Sequence, residues 1–69
     1  MMDIFTEKPK CRLIGENGNI FNLVSIAANT LRSHGFRDEA EELINRIWSG
    51  EALSYKHAIN IIGEYVEII

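Results

Sequence analysis

The sequence predicts an α+β fold: a three-helix cluster with a small two-stranded sheet formed by the N- and C-terminal strands, in the order β-α-α-α-β. Three observations predict it. Three stretches place apolar residues at helical spacing. Two short β-like segments, residues 10–14 and 65–69, lie at opposite ends of the chain. Glycines punctuate the intervals: Gly15 and Gly18 before the first helix, Gly35 after it, Gly50 after the second. The expected pairing joins residues 11–14 to residues 66–69. Residues 10–69 read as one small α+β domain, and residues 1–9 as a flexible polar arm, with a short extra strand through Ile4 and Phe5 as the alternative.

The first strand alternates, with Cys11 and Leu13 on one face and Arg12 and Ile14 on the other. Cys11 reads as a small buried hydrophobe; a reactive thiol beside Lys10 and Arg12 is the alternative. The stretch Gly15-Glu16-Asn17-Gly18-Asn19 then makes the corner. Asn17-Gly18 is a turn dipeptide, since both residue types tolerate positive φ, and Asn19 is an N-cap whose oxygen can accept from a free amide of the next turn. Gly15, Gly18 and Asn19 are also candidates for anion binding, because glycine-flanked amides at a helix start can cradle negative charge. The Lys-Ser/Thr of a P-loop and the third glycine of a dinucleotide fingerprint are absent.

Residues 20–34 form the first predicted helix. Its apolar arc of Ile20, Leu23, Val24, Ala27, Ala28 and Leu31 is broad, with Phe21 at one edge and Ile26 beyond the other. An arc this wide marks a helix covered on more than one side. Gly35 suits the left-handed position after it, and Arg32 and His34 suit the negative end of its dipole. Asp38 is the expected N-cap of the second helix, with Glu41 completing a capping box. Ala40, Leu43, Ile44 and Ile47 follow i, i+3, i+4, i+7 spacing, Trp48 flanks them, and Gly50 ends the helix. Ser54 caps a third helix over residues 55–64, with Tyr55, Ala58, Ile59, Ile62 and Val66 on one face and Lys56, His57, Asn60 and Glu64 on the other. The expected core is Leu23, Val24, Ala27, Leu31, Leu43, Ile44, Ile47, Ile59 and Ile62. The final segment is β-branched and aromatic, with Val66 and Ile68 facing in and Glu67 and Ile69 out.

At 69 residues the chain buries only about 60% of its unfolded surface, which leaves a small domain marginal. A single cysteine excludes an internal disulfide and fits a reducing compartment. No Cys/His set has zinc spacing, so no metal or cofactor is expected, and oligomerisation remains as the common remedy. No apolar run reaches membrane-spanning length and no signal-peptide pattern opens the chain, so the expectation is a cytoplasmic protein without a membrane partner.

Net charge is −3, unevenly spread. Residues 1–37 hold five Lys/Arg against three Asp/Glu, and residues 38–69 hold two against seven. A dedicated nucleic-acid binder is clearly basic, so nucleic acid is an unlikely partner, although Lys8, Lys10, Arg12, Arg32 and Arg37 supply a basic half. Asp38, Glu39, Glu41 and Glu42 favour the positive end of the second helix, which accounts for most of their clustering. With Trp48 they are also candidates for contacting a protein partner. His34 and His57 have no motif partners, and no nucleophile–base–orienter set is visible. The chain reads as a non-enzyme.

Leu13-Ile14-Gly15-Glu16-Asn17-Gly18-Asn19-Ile20-Phe21 resembles the opening of a group of short bacterial proteins, without an assigned activity, associated with phages, plasmids and integrated elements. Their pattern runs Leu-x-Gly-x-Asp/Asn-Gly-Asn-Ala-Phe, followed by a helix ending Leu-Arg-x-x-Gly. Leu31-Arg32-Ser33-His34-Gly35 is similar to that ending, Tyr55 and His57 to a later Asp-Tyr-x-His stretch, and Tyr65-Val66-Glu67-Ile68 to the usual finish. The resemblance covers about residues 11–69; Ile20 replaces the usual Ala and Ser54 the usual Asp, both keeping their helical roles. It implies a mobile-element context and brings no catalytic residues.

These features favour a small non-enzymatic protein-binding module that modulates a host system. The alternatives are a nucleic-acid binder using the basic half and a ligand-sequestering oligomer with the turn of residues 15–19 at a subunit boundary. A homodimer is expected through the strand layer. Arg12 and Glu67 would form a cross-strand pair there, and Ile14 and Ile69 would leave an open apolar face.

Overall fold

The computed structural model describes residues 8–69. It contains β1 (Lys10–Cys11), α1 (Ile20–Ser33), α2 (Arg37–Trp48), α3 (Tyr55–Gly63) and β2 (Glu67–Ile68), in the expected β-α-α-α-β order. The strands from the two chain ends pair in parallel, with Lys10 opposite Glu67 and Cys11 opposite Ile68. Backbone bonds extend the pairing past the short strands: Glu67 N–H donates to Pro9 O, Ile69 N–H to Cys11 O, and Leu13 N–H to Ile69 O, each at 2.9 Å. The expected alternation holds, with Cys11, Leu13 and Val66 buried and Arg12, Ile14, Glu67 and Ile69 exposed. The expected cross-strand pair does not form, because the register sets Lys10, not Arg12, opposite Glu67. An extra strand through Ile4 and Phe5 lies outside the described residues, as does the arm up to residue 7. Lys8 and Pro9 belong to the domain: Pro9 is buried, and Lys8 Nζ donates to Gly63 O at 2.7 Å.

Gly15, at φ 93°, closes a turn in which Glu16 N–H donates to Leu13 O at 3.1 Å. The left-handed residue of this corner is therefore Gly15, not Gly18. Asn17 makes the second half through its side chain, whose Oδ1 accepts from Asn19 N–H at 2.9 Å. Asn19 then caps α1 as expected, accepting from Phe21 N–H at 2.9 Å.

The ends of α1 and α2 share one construction. After α1, Gly35 at φ 85° lets its own amide reach Arg32 O and lets Phe36 N–H reach Leu31 O. After α2, Gly50 at φ 87° lets its amide reach Ile47 O and lets Glu51 N–H reach Arg46 O. Both are Schellman motifs, which satisfy carbonyls that a helix end would otherwise leave bare. The first one displaces the expected cap of α2. Phe36 both completes the end of α1 and occupies the N-cap position of α2, without a side-chain hydrogen bond. Asp38 and Glu39 therefore sit inside the first turn, where they complement the dipole without capping it. Ser54 caps α3 as expected, its Oγ accepting from His57 N–H at 3.1 Å.

The core lies between the helices and the inner face of the sheet. Leu31, Leu43, Ile61, Ile62, Val66 and Cys11 are its largest fully enclosed side chains. Cys11 behaves as the buried hydrophobe expected of it, with Thr30 Oγ1 resting 3.5 Å from its Sγ. Leu23, Val24, Ala27, Leu31, Leu43 and Ile62 are buried as expected, whereas Ile44, Ile47 and Ile59 are only half-buried. Ile61 takes the place expected for Ile59. The buried stripe of α3 runs Ala58, Ile61, Ile62 and on to Tyr65, a rotation of the helix that also carries Tyr55 out of the core.

Leu31 is enclosed on all sides and also faces Phe36 across the first Schellman motif. Leu31→Ala is expected to cost about 2–5 kcal/mol in denaturant melts, a large share of a total of about 5–15 kcal/mol. A loss below about 0.5 kcal/mol, typical of surface changes, would contradict this packing.

Candidate protein-binding cleft

The start of α1, the end of α2 and the start of α3 converge on one side of the molecule. Between them is an open cleft of about 380 Å³ lined by Ile20, Phe21, Ile47, Ala52, Leu53 and Tyr55, among others. Its rim is apolar and accessible: Leu53 is 86% exposed and Phe21 and Tyr55 just over half, and Trp48, 62% exposed, adjoins it beside Phe21. Phe21 and Trp48 stack, their ring centroids 4.7 Å apart and their planes 9° from parallel. Each was already at the margin of its helical stripe in sequence. Their shared position follows from the antiparallel run of α1 and α2, which brings the start of one beside the end of the other. The stack buries one face of each ring and leaves the other faces to solvent.

Two hydrogen-bonding groups hold the cleft's walls. Tyr55 Oη donates to Gly18 O at 2.6 Å, tying the start of α3 to the corner before α1. A Cβ at Gly18 would sit 3.4 Å from the Tyr55 hydroxyl, the near limit of ordinary van der Waals contact. The linker of residues 51–54 is anchored at its first residue by Arg46. The guanidinium donates to both carboxylate oxygens of Glu51, with Nε at 3.0 Å from each, and to Glu64 at 2.7 Å and Tyr65 Oη at 3.2 Å. It also lies 5.8 Å above the Tyr65 ring. In the second Schellman motif, the residues that face each other across the helix end are thus an ion pair, Arg46 and Glu51, in place of the usual hydrophobic contact. Hydrogen bonding to Arg46 holds the Glu51 carboxyl below its ordinary range, and burial is the main reason the Tyr65 phenol is pushed up.

The candidate partner residues separate. Trp48 adjoins the cleft through its stack on Phe21, while Asp38, Glu39, Glu41 and Glu42 lie on the opening turns of α2, about 9–15 Å further along the helix axis by helical rise. Glu41 meets Arg32 at 3.5 Å across exposed surface, a contact of small energetic weight. The basic set is likewise dispersed: Lys8 is engaged by Gly63 and Arg32 by Glu41 and Asn29, while Lys10, Arg12 and Arg37 are exposed on other elements. Of the three turn residues considered for an anion, Gly15, Gly18 and Asn19, the Asn19 N–H is taken by Asn17 Oδ1, and the Phe21 N–H of the helix start by Asn19 Oδ1. Ile14 and Ile69 share one end of the sheet, since both Leu13 N–H and Ile14 N–H donate to Ile69 O, at 2.9 and 3.1 Å. Ile14 is 71% exposed and Ile69 45%, a second and smaller apolar patch. Among the described residues, no group of three or more His, Cys, Asp or Glu side chains is placed to hold a metal ion. Among them also, no helix is long and apolar enough to cross a membrane.

Leu53, Arg46 and the Phe21–Trp48 contact carry no motif in the sequence. The available signal was an off-stripe aromatic on each of two consecutive helices, together with a leucine in an otherwise unpatterned linker. No family model, curated protein or solved structure matches this chain.

The Arg46–Glu51 pair predicts the acid limb of stability. A carboxylate whose folded pKa is depressed contributes stability that is present above the unfolded value of about 4.3 and is lost as pH falls through the folded value. Thermal melts from pH 6 down to pH 2.5 should fall more steeply for the wild type than for Glu51→Gln, with the difference concentrated below about pH 4.5. Parallel curves would show that this carboxylate is as free in the folded chain as in the unfolded one.

Proposed function

We propose that this chain is a small non-enzymatic protein-binding module whose contact surface is the aromatic cleft. The supporting observation is the clustering of Phe21, Trp48, Leu53 and Tyr55, all at least half-exposed, around a preformed depression. Scattered surface hydrophobes are ordinary, but a contiguous apolar patch rimmed by polar residues is characteristic of interaction sites. Tryptophan and tyrosine are the residue types that most often dominate binding energy. The partner this surface suits is a protein that presents apolar side chains to fill the cleft. The acidic start of α2 is a secondary contact for a basic region of the same partner. A cytoplasmic role in a phage or other mobile element, acting on a host system, is the setting implied by the resemblance of residues 11–69 to such proteins.

A homodimer through the outer face of the sheet is the second part of the proposal. Ile14 and Ile69 supply its apolar centre, with Arg12 and Glu67 beside them. A two-fold arrangement would cover both isoleucines and the exposed strand edges together.

Each surface has a separate test. In affinity capture from the source cell, Leu53→Glu and Trp48→Ala should lose the captured protein by about 30-fold or more, the effect of truncating a dominant contact residue. Ile14→Glu should retain it. Equal capture by the wild type and Leu53→Glu would exclude the cleft as the contact surface. For the dimer, light scattering across about 5–500 μM covers common weak-to-moderate affinities. The mass of two chains is expected for the wild type, and of one chain for Ile14→Glu with its helical circular dichroism intact. A wild type at the mass of one chain throughout would exclude the dimer.

A further inference from the structure

The two histidines are held in opposite senses. His34 Nδ1 lies 2.8 Å from Thr30 O near the end of α1. A carbonyl can only accept, so that nitrogen carries a proton. Protonating the other ring nitrogen leaves the bond in place, and a cation is favoured at a helix C-terminus. His57 is reversed. Its Nδ1 lies 3.1 Å from Leu53 N, and a backbone amide can only donate. Nδ1 is therefore the acceptor, and the ring proton is on Nε2.

This bond completes a reciprocal cap. Ser54 Oγ accepts from His57 N–H, while the His57 ring accepts from the amide just before Ser54. The arrangement parallels a Ser-x-x-Glu capping box, with histidine in place of the carboxylate and the return bond falling one residue earlier. A carboxylate would remain an acceptor throughout the neutral range. Histidine is the side chain that changes charge between about pH 5 and 8. When Nδ1 takes a proton it becomes a donor facing a donor, and a positive charge appears at the positive end of α3.

We propose that His57 is a pH-sensitive latch on the cleft: neutral, it pins Leu53 and the linker wall; protonated, it releases them. The wall concerned is Ala52, Leu53, Ser54 and Tyr55, which line the depression beside Phe21. The charged groups around the ring are few. Glu51 in the linker is close enough to interact with His57 electrostatically, and its own hydrogen bonds go to Arg46 of α2. Lys56 precedes His57 on α3, and the only charged residue of α1, Arg32, is bound at the far end of that helix to Asn29 and Glu41. The linker is thus held at its α3 end by His57 and at its α2 end by Glu51 through Arg46. The latch itself is independent of any partner; only its consequence for binding rests on the cleft being the contact surface.

The test is nuclear magnetic resonance on the free, uniformly ¹⁵N-labelled chain between pH 8 and pH 5. At pH 8 the His57 Nδ1 resonance should be that of an unprotonated ring nitrogen. The Leu53 amide resonance should then shift with the same midpoint as the His57 ring. In His57→Gln, whose side-chain oxygen accepts at every pH, the Leu53 shift should disappear. In His34→Gln it should remain. A protonated Nδ1 at pH 8, or a Leu53 amide that stays still while His57 titrates, would overturn the latch. Capture by the wild type and Leu53→Glu at pH 8 separately reports on the cleft, so failure of one reading is distinguishable from failure of the other.

Discussion

The parallel pairing of the two chain ends is the constraint on which the rest of the structure depends. Antiparallel strands can be joined by a tight turn, but parallel strands require the chain to cross the molecule and re-enter from the same end. Here the whole helical cluster is that crossover. α1 packs on β1 and runs back along it, α2 returns, and α3 brings the chain to the start of β2. The strands contribute only two residues each, yet the backbone bonds from Pro9 to Ile69 fix where α1 begins and α3 ends. Cys11, Leu13 and Val66 then have one side to face, and the apolar arc of α1 is broad because it must meet both the sheet and α2. An isolated two-stranded sheet is marginal, so dependence is mutual: the helices cover the sheet, and the sheet closes the helices.

Much of this was legible because local signals agreed with the tertiary outcome. Asn19, Ser54, Gly35 and Gly50 each act at the helix end their residue type favours. Where the sequence misled, one local signal had been displaced by another acting at the same place. Asp38 had every feature of an N-cap, but the Schellman motif at Gly35 had already committed Phe36, and α2 starts two residues earlier than an Asp38 cap would place it. Ile59 and Ile61 are both isoleucines on a short helix, and the periodicity fits either stripe. The Tyr55 bond to Gly18 and the packing of Tyr65 select the one containing Ile61. Register was beyond pattern reading, since Lys10 and Arg12 share a face and either could oppose Glu67. The cleft was least legible of all. It is built from residues at the margins of three stripes, and periodicity describes what a helix buries rather than what three helix ends leave open.

Arg46 shows how a small domain joins elements that its apolar core cannot reach. One guanidinium bonds the linker after its own helix, the C-cap of α3 through Glu64, and the Tyr65 hydroxyl, while its central carbon lies over the Tyr65 ring. Single exposed ion pairs contribute little, because two long side chains must be ordered for one contact. Here a single ordered side chain serves three partners, and the fork geometry of arginine allows both oxygens of Glu51 to be engaged together. Lysine would supply the charge without that fork, so the network depends on the residue type as well as its sign.

The same logic bears on how Leu53 is presented. A largely exposed leucine in a linker would ordinarily be free to move, and binding it would require ordering both its side chain and its backbone. The linker is instead held at one end by Arg46 through Glu51 and at the other by the bond from Leu53 N–H to His57. On the opposite wall, the Phe21–Trp48 stack fixes two more rings. In the proposed function, most of the ordering cost falls on folding rather than on association, so the cleft meets a partner largely preformed. Under that proposal, the polar contacts behind this surface would act on affinity without touching the partner. Arg46, Glu51 and His57 restrain Leu53, and under the proposed function that restraint would decide how much of its apolar area could be turned into binding.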